Sequence, residues 1–141
     1  MHLAIQGLNE EEKFWYGKLL VAVINADGQV HENEIDFLIL AMHFLKGEQQ
    51  TQLRQMMKLK TELPGLEKIP QGLERDQLLM IYTNLVMVAV ADSTLSIKEQ
   101  TFLNRVRGWF VFNAKLEKSL EQWTSDVFDV VKQRDSLLKS L

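Results

Sequence analysis

The stretch Ala26-Asp27-Gly28-Gln29-Val30-His31-Glu32-Asn33-Glu34 decides the fold of this chain, because the sequence contains it in two related copies. The second copy is Ala91-Asp92-Ser93-Thr94-Leu95-Ser96-Ile97-Lys98-Glu99, at a constant offset of 65 residues. Three pairs of residues coincide at this offset: Asp27 with Asp92, Val30 with Leu95, and Glu34 with Glu99. An apolar run precedes each copy and an amphipathic run follows it, so we predict an internal repeat of helix, acidic loop and helix.

The two apolar runs before the acidic loops predict the central helices of the domain. The first should begin after Asn9, an N-cap followed by three glutamates, and run to about residue 26. The second should run from about residue 74 to residue 91. Both are apolar almost all round, which is typical of a helix buried in the centre of a domain. We reject a strand over residues 85–91, because the helical spacing extends back to Leu78 and no second strand is available for pairing.

The first half continues with two shorter helices. Apolar spacing predicts a helix over residues 35–45 that ends at Lys46, with Gly47 as a left-handed residue after its last turn. The next helix should span about residues 49–61. Residues 63–72 hold both prolines and form the linker between the two halves.

The second half continues with a helix that Ser96 and Glu99 open as a capping box. Phe112-Asn113 predicts a turn, and apolar residues at 4-3 spacing after it predict one long C-terminal helix, with a break at Thr124-Ser125 as the alternative. We therefore predict an all-α fold, a single-domain helical bundle of about six to seven helices over residues 1–141. Its pseudo-repeated halves should span about residues 9–62 and 73–139 and superpose by a pseudo-two-fold operation.

Composition excludes several classes of function. The formal net charge of −3 lacks the basic footprint of a nucleic-acid-binding protein. The absence of cysteine excludes disulfides, thiol catalysis and cysteine metal sites. The N-terminal residues do not follow the pattern of a signal peptide, and the longest apolar run, residues 85–91, is too short to span a bilayer. We expect a cytoplasmic protein without direct membrane insertion.

The acidic residues of the two loops allow two interpretations. Carboxylates are ligands of hard divalent cations such as calcium, and the loops supply four: Asp27, Glu34, Asp92 and Glu99. An EF-hand is rejected, because its first ligands would fall on Val23 and Val88 in the buried helices. In the other interpretation the aspartates accept backbone hydrogen bonds in turns and the glutamates cap helices. Turn and cap residues are the commoner origin of such loops.

The remaining candidate residues give no sign of a catalytic site. The three histidines have no partners at a zinc-binding spacing, and the chain contains no P-loop, nucleophile elbow or dinucleotide-binding glycine motif. Trp109, Phe110 and Phe112 together carry more apolar surface than one helix face buries. They form either a partner-binding patch or part of the core, and we favour the core.

The motif Ala26-Asp27-Gly28-x-Val30-x-x-x-Glu34 and its repeat resemble the TerB-like (tellurite-resistance) domain family over about residues 10–125. The resemblance implies an all-helical domain linked to bacterial stress responses, including tellurite resistance and membrane-associated complexes. It also implies a divalent-cation site at Asp27, Glu34, Asp92 and Glu99. Ser93 departs from the glycine of the family pattern, which weakens the expectation for the second loop.

We therefore predict a non-enzymatic TerB-like module that acts by binding, either a divalent cation such as calcium or a protein partner. That partner can be membrane-associated, and no nucleic acid is expected. One alternative is a small hydrolase in which the carboxylates hold a catalytic metal. Another is a purely structural oligomerisation unit that uses the C-terminal apolar stripe. The sequence leaves the oligomeric state open.

Overall fold

The computed structural model describes residues 7–26, 28, 38, 43, 45–59, 63, 65–91 and 94–141. Within these residues the chain forms five helices and no strand, which confirms the all-α prediction. The helices are α1 (Glu10–Asn25), α2 (Gly47–Leu59), α3 (Arg75–Val90), α4 (Ile97–Phe110) and α5 (Ala114–Lys139). The helix predicted over residues 35–45 lies outside the described residues except at three positions, two of which, Leu38 and Leu45, are buried. The count of six to seven helices is therefore not confirmed.

Helices α1 and α3 form the centre of the domain, as predicted. Each has 16 residues. The first residue of α3 lies 65 positions after the first residue of α1, and the last residues of the two helices are separated by the same number. This separation is the offset of the sequence repeat. Asn9 opens α1 with a capping box, in which its Oδ1 accepts the Glu12 N–H at 2.8 Å. At the corresponding position of α3, the backbone N–H of Glu74 donates to the Gln77 side chain at 2.9 Å. The superposition of the complete halves stays a prediction.

A buried polar contact joins α1 to α3. The Asn84 Nδ2 donates to the Tyr16 hydroxyl oxygen at 3.2 Å, and both side chains are almost fully buried. Burial raises the pKa of Tyr16 to about 12, so the hydroxyl is neutral at physiological pH. Because a buried polar group is costly without a partner, this contact favours one alignment of the two helices.

Helix α2 packs closely on α1 at a glycine. A Cβ built on Gly17 would lie 2.7 Å from the Leu53 Cδ1 of α2, which is closer than side chains tolerate. The prediction that Gly47 ends the preceding helix in a left-handed conformation is wrong, because Gly47 is the first residue of α2 and has no positive φ. Gly28, with φ +77°, does adopt the left-handed conformation expected after α1.

The linker between the halves is part of the core. Leu66 is buried, and its carbonyl oxygen accepts the Trp15 indole N–H at 3.0 Å. Gly65 provides the positive φ, +79°, at the turn before it. The proline-containing segment therefore covers one side of α1 in addition to connecting the halves.

The turn between α4 and α5 contains a strained residue held by α3. Val111 has φ 54° and ψ 62°, a left-handed conformation that is unfavourable for a β-branched side chain, and it is 73% exposed. The Arg75 guanidinium donates to the carbonyl oxygens of Phe110 at 2.6 Å and Val111 at 2.7 Å, and lies 5.1 Å from the Phe112 ring. These contacts give hydrogen-bond partners to the carbonyl oxygens at the end of α4 and stabilise the turn.

The C-terminal helix α5 is continuous through Thr124-Ser125, which confirms the prediction of one long helix and excludes the alternative of a break there. Asn113 caps it as predicted, accepting the Leu116 N–H at 2.8 Å. The apolar stripe packs on the domain only as far as Val131, because Leu137 is 72% exposed. Arg134 interrupts the stripe, and its guanidinium donates to the Ala91 carbonyl oxygen at 3.4 Å.

The close packing at Gly17 predicts opposite effects of two glycine substitutions. Gly17→Ala should lower the free energy of unfolding by about 1–3 kcal/mol, because the new methyl group overpacks the α1–α2 contact. Gly108→Ala is the matched control, since nothing lies within 4 Å of a Cβ at this helical position. It should raise the free energy by up to about 1 kcal/mol through helix propensity. Urea denaturation midpoints measure both, and equal effects would contradict the packing.

The left-handed residue after α4 predicts that a glycine improves stability. Val111→Gly should raise the free energy of unfolding by about 1 kcal/mol, because glycine avoids the left-handed penalty of an L side chain. Val130→Gly is the control, since Val130 is also exposed but lies within α5. There the same change should cost about 1 kcal/mol or more. Thermal melting distinguishes the signs, and a loss at both positions would refute the strain at Val111.

Candidate functional site

The four acidic residues predicted as metal ligands divide between described and undescribed parts of the chain. Asp27, Glu34 and Asp92 lie outside the described residues. Glu99 lies in the first turn of α4 and is 1% exposed. Within the described part of the chain, no group of three or more histidine, aspartate or glutamate side chains is placed to hold a metal ion. The metal site therefore stays a prediction.

Glu99 makes the local contacts predicted for a capping box. Its Oε1 accepts the Ser96 backbone N–H at 3.1 Å, and its own N–H donates to the Ser96 Oγ at 3.0 Å. The reciprocal bonds satisfy two donors at the start of α4 and place the carboxylate inside the domain. A structural role for Glu99 thus needs no cation.

A cleft of about 720 Å³ lies beside α4 and is here called the α4 cleft. Its floor and one wall come from the last turn of α1 and the linker, and the other wall is the outer side of α4. The lining residues are Ala22, Asn25, Ala26, Leu63, Gly65, Leu66, Glu67, Ile97, Lys98, Thr101, Phe102, Arg105 and Trp109. Its volume falls in the range of ligand-binding clefts.

Aromatic side chains give the α4 wall a rigid apolar surface. The Phe102 and Trp109 rings meet edge to face with centroids 6.2 Å apart, and both are half-buried. The Arg105 guanidinium lies 5.6 Å from the Trp109 ring. Trp109 therefore lines the cleft, whereas Phe110 and Phe112 are buried in the core as we favoured from the sequence.

Charged and polar groups surround this apolar surface. Lys98 and Arg105 lie on the α4 side, and Glu67 lies on the linker side. At the floor, the Asn25 Nδ2 donates to the Met56 carbonyl oxygen at 3.4 Å. The Asn25 Oδ1 is buried and has no hydrogen-bond partner among the described residues. The cleft thus offers an apolar face and two cations.

A second cleft of about 370 Å³ lies between α4 and α5, and its charged groups already pair with one another. Arg107 contacts the carboxylates of Glu117 and Glu121, the latter at 3.2 Å. Burial raises the pKa of Tyr82 above its usual value, although Arg107 opposes the shift. These residues bind α4 to α5. The apolar and aromatic lining of the α4 cleft makes that cleft the stronger candidate site.

Most of the α4 cleft was not predicted from the sequence. The prediction of α4 rested on Phe102, Leu103, Val106 and Phe110, of which only Phe102 lines the cleft. It gave no role to Ile97, which is 82% exposed. A large apolar residue outside the buried stripe, near Lys98, was the available signal. The opposite wall gave no signal, because Ala22 and Asn25 are ordinary residues of the last turns of a helix.

None of the helices described in the chain is long and apolar enough to cross a membrane.

Comparison with known proteins places these features in a family. No curated protein and no solved structure matches the chain. The family model described as "Tellurite resistance protein TerB" matches residues 16–122, a segment that includes most of α1, the linker and all of α3 and α4. The chain therefore belongs to the TerB tellurite-resistance family.

Proposed function

We propose that this chain is a non-enzymatic stress-response module of the TerB family, acting in the bacterial cytoplasm, and that the α4 cleft is the surface with which it binds a protein partner. The observation that carries the proposal is Trp109, half-buried and in contact with Arg105 in an open cleft. Tryptophan and arginine are the residues most enriched at the energetic centres of protein interfaces. The partner can itself be membrane-associated.

The chemistry of the cleft supports binding over catalysis. Its described lining contains one carboxylate, Glu67, two cations and one hydroxyl, Thr101. The Thr101 Oγ1 donates to the Ile97 carbonyl oxygen at 2.8 Å within α4, so it is not aligned with a general base. An apolar surface with a few charged groups at its edge is the usual composition of an interface.

The proposal predicts a tellurite phenotype that depends on the cleft. A strain of the source organism that lacks this chain should lose tolerance to potassium tellurite, measured as the minimum inhibitory concentration. The wild-type chain and Trp123→Ala should restore tolerance, whereas Trp109→Ala should not. Trp123 is the matched control, because it is also a half-buried tryptophan but lies on α5, outside the α4 cleft.

Immunoblots should show equal amounts of the two variants. Full complementation by Trp109→Ala would exclude the cleft as the functional surface. Unchanged tolerance in the strain without the chain would refute the role in tellurite stress.

A second proposed activity is weak binding of a divalent cation by the acidic loops. Gly28 has the left-handed conformation that lets the first loop turn, which supports a site at Asp27 and Glu34. Ser93 makes the same turn less favourable in the loop that contains Asp92 and Glu99. Two carboxylates per loop imply a dissociation constant on the order of 10⁻⁴–10⁻³ M for calcium.

This site predicts a calcium-dependent melting temperature. Millimolar calcium should raise the melting temperature of the wild-type chain by mass action. Asp27→Asn should abolish the rise, and Asp92→Asn should reduce it less, because the first loop is the stronger site. A wild-type chain without saturable change at millimolar calcium would leave the four carboxylates as turn and cap residues. A larger loss with Asp92→Asn would reverse the ranking of the loops.

A further inference from the structure

We propose that the occupant of the α4 cleft is an amphipathic α-helix of a partner protein, with acidic residues along one edge of its apolar face. The inference rests on the proposed function, which assigns the cleft as the binding surface, and adds the chemistry of what binds there. Three features of the cleft carry it: the length of the α4 wall, the small residues opposite, and the position of the charges.

The α4 wall is long. Ile97, Thr101 and Arg105 follow one another at four-residue spacing, and Lys98, Phe102 and Trp109 form the adjacent row. Residues at this spacing lie above one another on a helix, so the wall runs from residue 97 to residue 109, a length of about 18 Å at 1.5 Å per residue. This length matches about three turns of a second helix lying alongside α4.

The opposite wall lets a helix approach closely. Ala22 and Ala26 lie one turn apart at the end of α1, and both line the cleft. Small side chains bring helix axes toward the short end of the usual packing distance. A partner helix with apolar residues at positions i, i+3, i+4 and i+7 would contact these alanines and the rings of Phe102 and Trp109.

The charges give the partner helix a preferred edge. Lys98 and Arg105 lie seven residues apart, which places them two turns apart on the same side of α4. Two acidic residues at the same spacing on a partner would meet both cations, although the chain as a whole has a net charge of −3. Glu67 on the linker side disfavours acidic residues on the other edge. Electrostatic complementarity of this kind selects the partner and its orientation.

The test selects binders for the complete chain from a displayed library of helical peptides. The library keeps an apolar stripe and varies the flanking positions. Selection on the wild-type chain, with counter-selection on the double variant Lys98→Glu/Arg105→Glu, should enrich acidic residues seven positions apart on one edge. Fluorescence anisotropy of a labelled selected peptide should show at least tenfold weaker binding to the double variant and to Trp109→Ala.

The control is Lys115→Glu/Lys118→Glu, which changes the net charge equally at exposed positions of α5 and should bind like the wild type. Circular dichroism verifies that each variant is folded. A lysine-edged version of the selected peptide should prefer Lys98→Glu/Arg105→Glu over the wild type, a gain that misfolding cannot produce.

Three results would overturn the inference: enrichment of peptides without acidic pairs, binding that Trp109→Ala leaves unchanged, or no enrichment at all. If tolerance to tellurite still requires Trp109 in those cases, the proposed function stands and the cleft holds another kind of occupant. If tolerance does not require Trp109 but acidic helices bind as expected, the cleft chemistry stands and the assigned function is wrong.

Discussion

The structure depends on the contact between two helices that have no polar face. In α1 the consecutive residues Leu19, Leu20 and Val21 are all fully buried, and in α3 the same is true of Leu85 and Val86. Residues this close in a helix point in different directions, so both helices must be covered on nearly every side. The hydrogen bond between Asn84 and Tyr16 is the polar exception that aligns them. The other elements act as the cover for this central pair.

Each covering element contacts the centre through a different local device. Helix α2 approaches α1 at Gly17, where there is no side chain to separate them. The linker contributes Leu66, whose carbonyl accepts the Trp15 indole N–H. Helix α4 contributes Phe110, whose ring centroid lies 5.9 Å from that of Trp15. One tryptophan thus contacts two covering elements, which explains why a segment rich in proline and glycine is ordered against the core.

The α4 cleft lies where the end of α1, the linker and the outer side of α4 meet. The outer side of α4 keeps Phe102 and Trp109 half-exposed. The far end of α4 is held firmly, because Arg75 binds the carbonyl oxygens of Phe110 and Val111 and Arg107 pairs with α5. The side of the cleft that α4 forms is therefore fixed in position, which makes the cleft suitable for binding.

The sequence by itself determined the features that depend on residues three or four positions apart. These include the ends of α1 and α3 and the caps at Asn9, Ser96 and Asn113. The repeated motif also indicated the family. The physical reason is that a cap or a helix face is formed within one or two turns, so its residues stand together in the sequence.

Tertiary structure alone decided the features built from distant segments. The α4 cleft combines residues near 25, 65 and 100, and no local pattern reports how close packing brings them. The left-handed Val111 contradicts the local preference for glycine and is stabilised by Arg75, which comes 36 residues earlier. Gly47 was predicted from local rules to end a helix and instead begins α2. The apolar stripe of α5 continues in the sequence beyond Val131, but the domain it packs against does not. In each case the contact energy comes from a partner far along the chain, and local spacing does not record it.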